Sequence, residues 1–217
     1  MDRRTPKTLL FFARHGETDD NKNLVFQGQS GRGLNRRGRA QAKRLGQRAK
    51  TLQPTAIVAS DLERAAETAG FAGEACGLTV SLDRGLREVD VGTWTGKTYE
   101  AIAAAHPDQW EAWHAGRDVR RGGGETYAEL GARIAEATRR IAEAHPGGRV
   151  LLVSHGGSIR SFVGRMLGLS SDALSPLAGV ANASLTVVDY EVGGTFRLHA
   201  FNDTAHLEGL GAEEDSD

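Results

Sequence analysis

The sequence holds a single cysteine, Cys76, in 217 residues. No disulfide can form within one chain, which fits a reducing cytoplasm, the expected compartment. A net charge of either sign is missing too: 27 Lys and Arg stand against 28 Asp and Glu, leaving -1. That balance supplies no basic field for nucleic acid or an anionic membrane, and neither is expected as a partner. Long apolar runs are absent. The stretch MDRRTPKTLLFFARHG starts basic, but its apolar run, Leu9 to Ala13, is too short for a signal core and meets charge at once. Nothing approaches the roughly 20 apolar residues of a membrane span. Internal repeats and low-complexity segments are also absent, and no Cys/His cluster has metal-ligand spacing.

What remains is an ordinary soluble composition, 39% hydrophobic and 25% charged. Apolar runs at 7–13, 55–60, 149–154 and 184–190 read as strands, and the middle two are nearly unbroken, as suits strands covered on both faces. The stretch 195–201 forms a hairpin with 184–190, and 78–82 is a weaker strand. Helical spacing links Leu45, Ala49 and Leu52. It also links Tyr127, Leu130, Ile134, Ala137 and Ile141, and then Ile159, Phe162, Val163, Met166 and Leu167. The tetrad SDLE (60–63) fits a capping box, which predicts a helix from Asp61. Segment 107–125 combines aromatics with a glycine run, predicting a short helix and a mobile loop. The expected architecture is α/β: an open, mostly parallel central sheet with helices on both faces and a small helical cap. Residues 7–207 are expected to form one domain with the cap within 93–125, flanked by a loose N-terminus (1–6) and an acidic tail (208–217).

Open sheets of this kind bind ligands at the carboxyl ends of their strands. Three such ends carry polar groups: Arg14–His15–Gly16, SDLERA (60–65) and SHGG (154–157). Arg14, His15, Arg64 and His155 would together place two cations and two imidazoles on one rim, with helix N-termini behind them. Planar guanidinium forks favour phosphate or carboxylate. The arginines would depress the imidazole pKa values, and a neutral imidazole has a lone pair that can attack phosphorus. Fixed cations could then take the part of a metal ion, so neither metal nor cofactor is expected. A leaving oxygen needs a proton, which a carboxylic acid in LREVDVG could give; Glu88 is the candidate, with Asp90 as the alternative.

RHGET with Asn21 and Gln27–Gly28, then SDLERAAETA, LREVDVGTWTG, GGETYAELGARI and SHGG, occur in the order seen in the histidine phosphatase superfamily, the phosphoglycerate mutase-like proteins. The resemblance runs from about Leu9 to Leu207. It implies that His15 becomes phosphorylated, that Arg14, Arg64 and His155 hold the phosphoryl group, and that Glu88 is the proton donor. It further implies that Asn21 and the Gln27–Gly28 backbone lie against the same phosphate; Gly156 is a further candidate for substrate binding. The chain departs from the family at Asp20, where an aromatic residue is common, and at Gly31, where an Asp is common. The mutases usually carry a longer insertion before the second His-Gly, so the short 93–125 connection resembles the phosphatase branch. The implied function is hydrolysis of a small phosphomonoester through a phosphohistidine, with mutase-type transfer as the alternative.

Several residues have blander readings. Trp110 and Trp113 are expected to pack a cap over the site, where either could contact substrate, and His206 to serve packing or hydrogen bonding. His106, His114, His145 and His199 read as structural or surface groups. Arg117, Arg120 and Arg121 read equally well as a solvated loop or as a site for a second anionic group, such as a substrate carboxylate. The natural substrate and the oligomeric state, a homodimer included, stay open at this level.

Overall fold

The computed structural model describes residues 7–191 and 193–210. The expected loose N-terminus, and all of the expected acidic tail beyond residue 210, lie outside the described residues. Six strands form one sheet: β1 (Lys7–Arg14), β2 (Ala56–Ala59), β3 (Val80–Leu82), β4 (Arg149–Ser154), β5 (Leu185–Glu191) and β6 (Phe196–Asp203). Their order is β3-β2-β4-β1-β5-β6. The first four in that order run parallel, and β5 and β6 add an antiparallel hairpin on the β1 side. The strands follow the apolar runs to within a residue or two at each end.

Side chains alternate across a strand, so each central strand feeds two cores. Leu10, Phe12, Val150, Leu152 and Val188 face one layer, where they meet α6 (Tyr127–Ala144) and α7 (Gly156–Met166) through Leu130, Ile134, Ile159 and Phe162. Phe11, Ala13, Ile57, Ala59, Leu151 and Val153 face the other. There α2 (Arg36–Leu52), which follows the single turn α1 (Asp19–Lys22), presents Leu45, Ala49 and Leu52, and α3 (Glu63–Cys76) presents Ala65, Ala69 and Ala72. Central strands buried on both faces are the physical reason for the near-continuous apolar runs. No helix among the described residues is long and apolar enough to cross a membrane.

Two expectations need correction. The helix predicted from Asp61 starts at Glu63, with Leu62 as its N-cap and no side-chain cap hydrogen bond. The hydroxyl of Ser60 is engaged elsewhere, on His155. The glycine run is also packed rather than free. A Cβ at Gly92 would lie 2.1 Å from the Gly122 carbonyl oxygen, and one at Gly124 would lie 2.2 Å from that of Asp90, so two backbones meet where side chains cannot fit. This stretch leads into α6, whose first N–H groups are capped from a distance: the carboxylate of Asp118 accepts from Tyr127 N and Ala128 N.

The cap consists of α4 (Tyr99–Ala105) and α5 (Pro107–His114). The short α4 went unread in the sequence, because seven residues are too few for a clear period. Trp110 and Trp113 pack into an aromatic cluster with Phe26 and Tyr99, at ring-centre distances of 4.5 to 5.7 Å. His206 hydrogen-bonds the Ala183 carbonyl at 3.0 Å, as a structural histidine would.

Candidate active site

Strands β1, β2 and β4 end side by side, and the pairs Ala59↔Val153 and Arg14↔Ser154 bring the three polar strand ends to one rim. The chain leaves β1 through Gly16, where a Cβ would lie 2.4 Å from the carbonyl oxygen of Gly38. Only glycine permits that approach, and it locks the turn after His15 against the start of α2. The His15 Nδ1–H donates to the Gly16 carbonyl at 2.7 Å, which leaves Nε2 as the unprotonated nitrogen. Arg64 donates its Nε–H to that nitrogen at 3.2 Å. Its other donors are anchored on the carbonyls of Ser30 at 2.5 Å and Gly28 at 2.7 Å.

His155 lies directly behind His15, with ring centres 5.1 Å apart. Both are buried, and both imidazole pKa values are pushed well below 6.5, first by burial and then by the neighbouring Arg64 and other cations. Burial also lowers Arg64, to about 10. Arg14 donates to the Val180 carbonyl at 2.7 Å, while its Nε–H has no protein acceptor. A Cβ on Gly156 would come within 3.2 Å of that Nε, so the glycine leaves room for the guanidinium.

Glu88 and Asp90 separate cleanly. Glu88 lines the cavity, and its carboxylate accepts from Val89 N at 2.8 Å and from Gly157 N, at the start of α7, at 3.0 Å. A Cβ on Gly157 would stand 2.5 Å from that carboxylate, which accounts for the second glycine of SHGG. Asp90 instead caps a turn, accepting from Gly92 N at 2.8 Å.

Asn21 uses its amide oxygen internally, accepting from Thr18 N and from the Asn182 amide, both at 3.2 Å. Its amide N–H groups are thereby left for the cavity it lines. Gln27 and Gly28 line the same cavity. The two departures from the family pattern are neighbours. A Cβ at Gly31 would lie 3.2 Å from an Asp20 carboxylate oxygen, so an acid at 31 would face one already present at 20.

The cavity, of about 240 Å³, has a polar floor of Arg14, His15, Arg64 and Glu88 and a largely apolar wall of Val25, Phe26, Tyr99, Trp113 and Val180. It also contains a group the sequence left undecided. Arg121 is only 3% exposed, its guanidinium 4.3 Å above the Tyr127 ring, and its Nε and Nη2 have no hydrogen-bond partner. Arg120, next to it, turns outward to Glu129. Asn182 and Arg133 were missed in the sequence. Arg133 pins the carbonyls of Gly85, Arg87 and Glu88, holding the acid's loop in place. Asn182 lies outside every block read in the sequence, and Arg133 lies within GGETYAELGARI without its partners being legible there; each acts through contacts that only the fold creates.

Fold and site together define an α/β enzyme built to handle phosphoryl groups. The chain belongs to the histidine phosphatase superfamily, branch 1, whose model matches residues 10–204. It is 32% identical over 214 residues to the probable phosphoglycerate mutase GpmB of Salmonella paratyphi C, covering 94% of this chain and 97% of that one. Among solved structures, it is similar to a mycobacterial glucosyl-3-phosphoglycerate phosphatase complexed with VO3, at 34% identity and TM-score 0.83, covering 90% of this chain and 99% of the other. It is also similar to a phosphoserine phosphatase of Entamoeba histolytica in complex with 3-phosphoglyceric acid, at 26% identity and TM-score 0.81, covering 92% and 99%.

Proposed function

We propose that this chain is a phosphomonoesterase that hydrolyses a small phosphorylated metabolite through a phosphohistidine on His15. The observation that carries the reading is the tautomer of His15: Nδ1 is spent on Gly16, and a neutral Nε2 sits among fixed cations. When a phosphoryl group enters, the Arg64 Nε–H transfers its hydrogen bond from Nε2 to a phosphoryl oxygen and frees the lone pair. Arg14, Arg64, the Asn21 amide and the Gly156 N–H at the start of α7 then offset charge on the equatorial oxygens. The scheme needs no metal.

Nε2 attacks phosphorus as the ester P–O bond breaks. The leaving alkoxide takes the proton of the Glu88 carboxylic acid. Water then attacks the phosphohistidine, Glu88 as carboxylate takes its proton, and the P–N bond electrons return to Nε2. A substrate carboxylate is favoured by Arg121, a buried guanidinium with two unpartnered nitrogens in the same cavity. Burying an unpaired charge is costly, and a ligand anion would supply the missing partner. Phosphoglycerate-like monoesters are therefore the favoured class, in keeping with the compounds named for the two phosphatases above.

The test is to quench the enzyme with substrate under mildly alkaline conditions and map the phosphoryl group by mass spectrometry. It should be found on His15, and His15→Ala should lose turnover while keeping its circular dichroism. A folded His15→Ala variant with full activity would refute the mechanism.

A further inference from the structure

Ser60 closes β2, and its backbone N–H is pinned to the Val153 carbonyl at 2.9 Å, beside the strand that delivers His155. Both Ser60 and His155 are 0% exposed. The Ser60 Oγ lies 2.8 Å from Nε2 of His155 and also accepts from Leu62 N at 3.3 Å. A serine hydroxyl has one proton to give. If His155 carried its proton on Nε2, Ser60 would accept twice, and its own hydroxyl proton would be left without an acceptor in a closed interior. If Ser60 donates to Nε2, its hydroxyl proton, the Nε2 lone pair and Leu62 N–H all have partners. The His155 proton then resides on Nδ1, the one ring nitrogen without a protein partner.

We propose that Ser60 is a positioning residue that fixes the tautomer of His155, so that Nδ1–H is the nitrogen offered to the phosphoryl group beside His15. Its effect on turnover rests on the phosphohistidine reading above; its geometry does not. The two imidazoles are then set in complementary fashion. On His15 a backbone carbonyl holds Nδ1–H and bares Nε2 as a base. On His155 a hydroxyl occupies Nε2 and leaves Nδ1–H as a donor. The reverse tautomer of His155 would turn a lone pair toward phosphate oxygens and repel them. The uncapped start of α3 agrees with this use of Ser60: the hydroxyl that the SDLE pattern assigns to the helix is committed to the histidine instead.

The experiment is histidine ¹⁵N NMR on the phosphate-free enzyme near pH 7.5, with the His155 signals identified by their loss in His155→Gln. Wild type should show a protonated Nδ1 and a bare Nε2 on His155. Ser60→Ala should populate the other tautomer and lower kcat by on the order of a hundredfold, the scale seen when a histidine loses its orienting partner. Ser60→Thr, which keeps the hydroxyl, should restore both. A protonated Nε2 in wild type would overturn the proposal, as would a Ser60→Ala enzyme with unchanged tautomer and turnover. Should Ser60→Ala fail to fold, the wild-type spectrum decides. Should the wild-type tautomer be as stated while no phosphohistidine forms, the assignment to Ser60 is upheld and the reaction scheme alone fails.

Discussion

Acid should unfold this protein in a way that can be traced to the two site histidines. Both are buried and held neutral, with folded-state pKa values well below the ordinary 6.5. The unfolded chain binds protons near 6.5 and the native site does not, so stability is full above that value and is lost as pH falls below it. For a group that stays neutral in the fold, lowering the pH from 7.5 to 5.5 removes about 1.4 kcal/mol, or about 2.7 kcal/mol for the pair. The window avoids Asp61 and Glu125, whose carboxyls are lowered from 3.8 and 4.5 and contribute only in stronger acid. Half-buried His206 is also lowered, so the comparison must be differential. Urea unfolding of wild type, His15→Gln and His155→Gln should be followed at both pH values in buffer free of phosphate and sulfate, because a bound anion would stabilise the fold by mass action. Each variant should lose about 1.4 kcal/mol less than wild type across the window. Parallel losses in all three proteins would refute the claim that these imidazoles are held neutral.

Other outcomes follow from the same geometry. Glu88→Gln should slow an alkyl phosphate by about 10²-fold or more but an aryl phosphate much less, because a phenolate leaves with little proton help. Equal losses would remove Glu88 from the proton path. Arg121→Met should lower kcat/KM by on the order of a hundredfold for a carboxylate-bearing monoester such as 3-phosphoglycerate, and change glycerol phosphate little. The same variant should unfold at a higher temperature, since it deletes an unpaired buried charge; similar losses on both substrates would argue against a carboxylate subsite. Supplied with 3-phosphoglycerate and catalytic 2,3-bisphosphoglycerate, the enzyme should release phosphate faster than it forms 2-phosphoglycerate, and the opposite ranking would favour the mutase reading.

Much of this protein was legible along the chain. Two-sided burial requires unbroken apolar strands, and a ligand site at strand ends requires polar residues immediately after them. Both conditions are local, so RHG after β1 and SHGG after β4 could be read directly, and with them the sheet, Arg14, His15 and His155. Other features depended on distant partners. Glu88 and Asp90 are two residues apart in one loop, and the sequence named Glu88 with Asp90 as the alternative; only the fold shows Glu88 lining the cavity and accepting from the N–H of Gly157, 69 residues away, while Asp90 accepts from Gly92 in a turn. Arg120 and Arg121 are adjacent, yet one meets Glu129 outside and the other is turned inward over Tyr127. Ser60 sits in a pattern that spells a helix cap, and the β2–β4 pairing gives its hydroxyl to a histidine instead. Periodicity and short motifs report what a residue needs from its immediate neighbours. Where one hydroxyl, carboxylate or guanidinium could satisfy several partners, the choice belonged to the tertiary structure, because only one of those partners is brought within hydrogen-bonding distance.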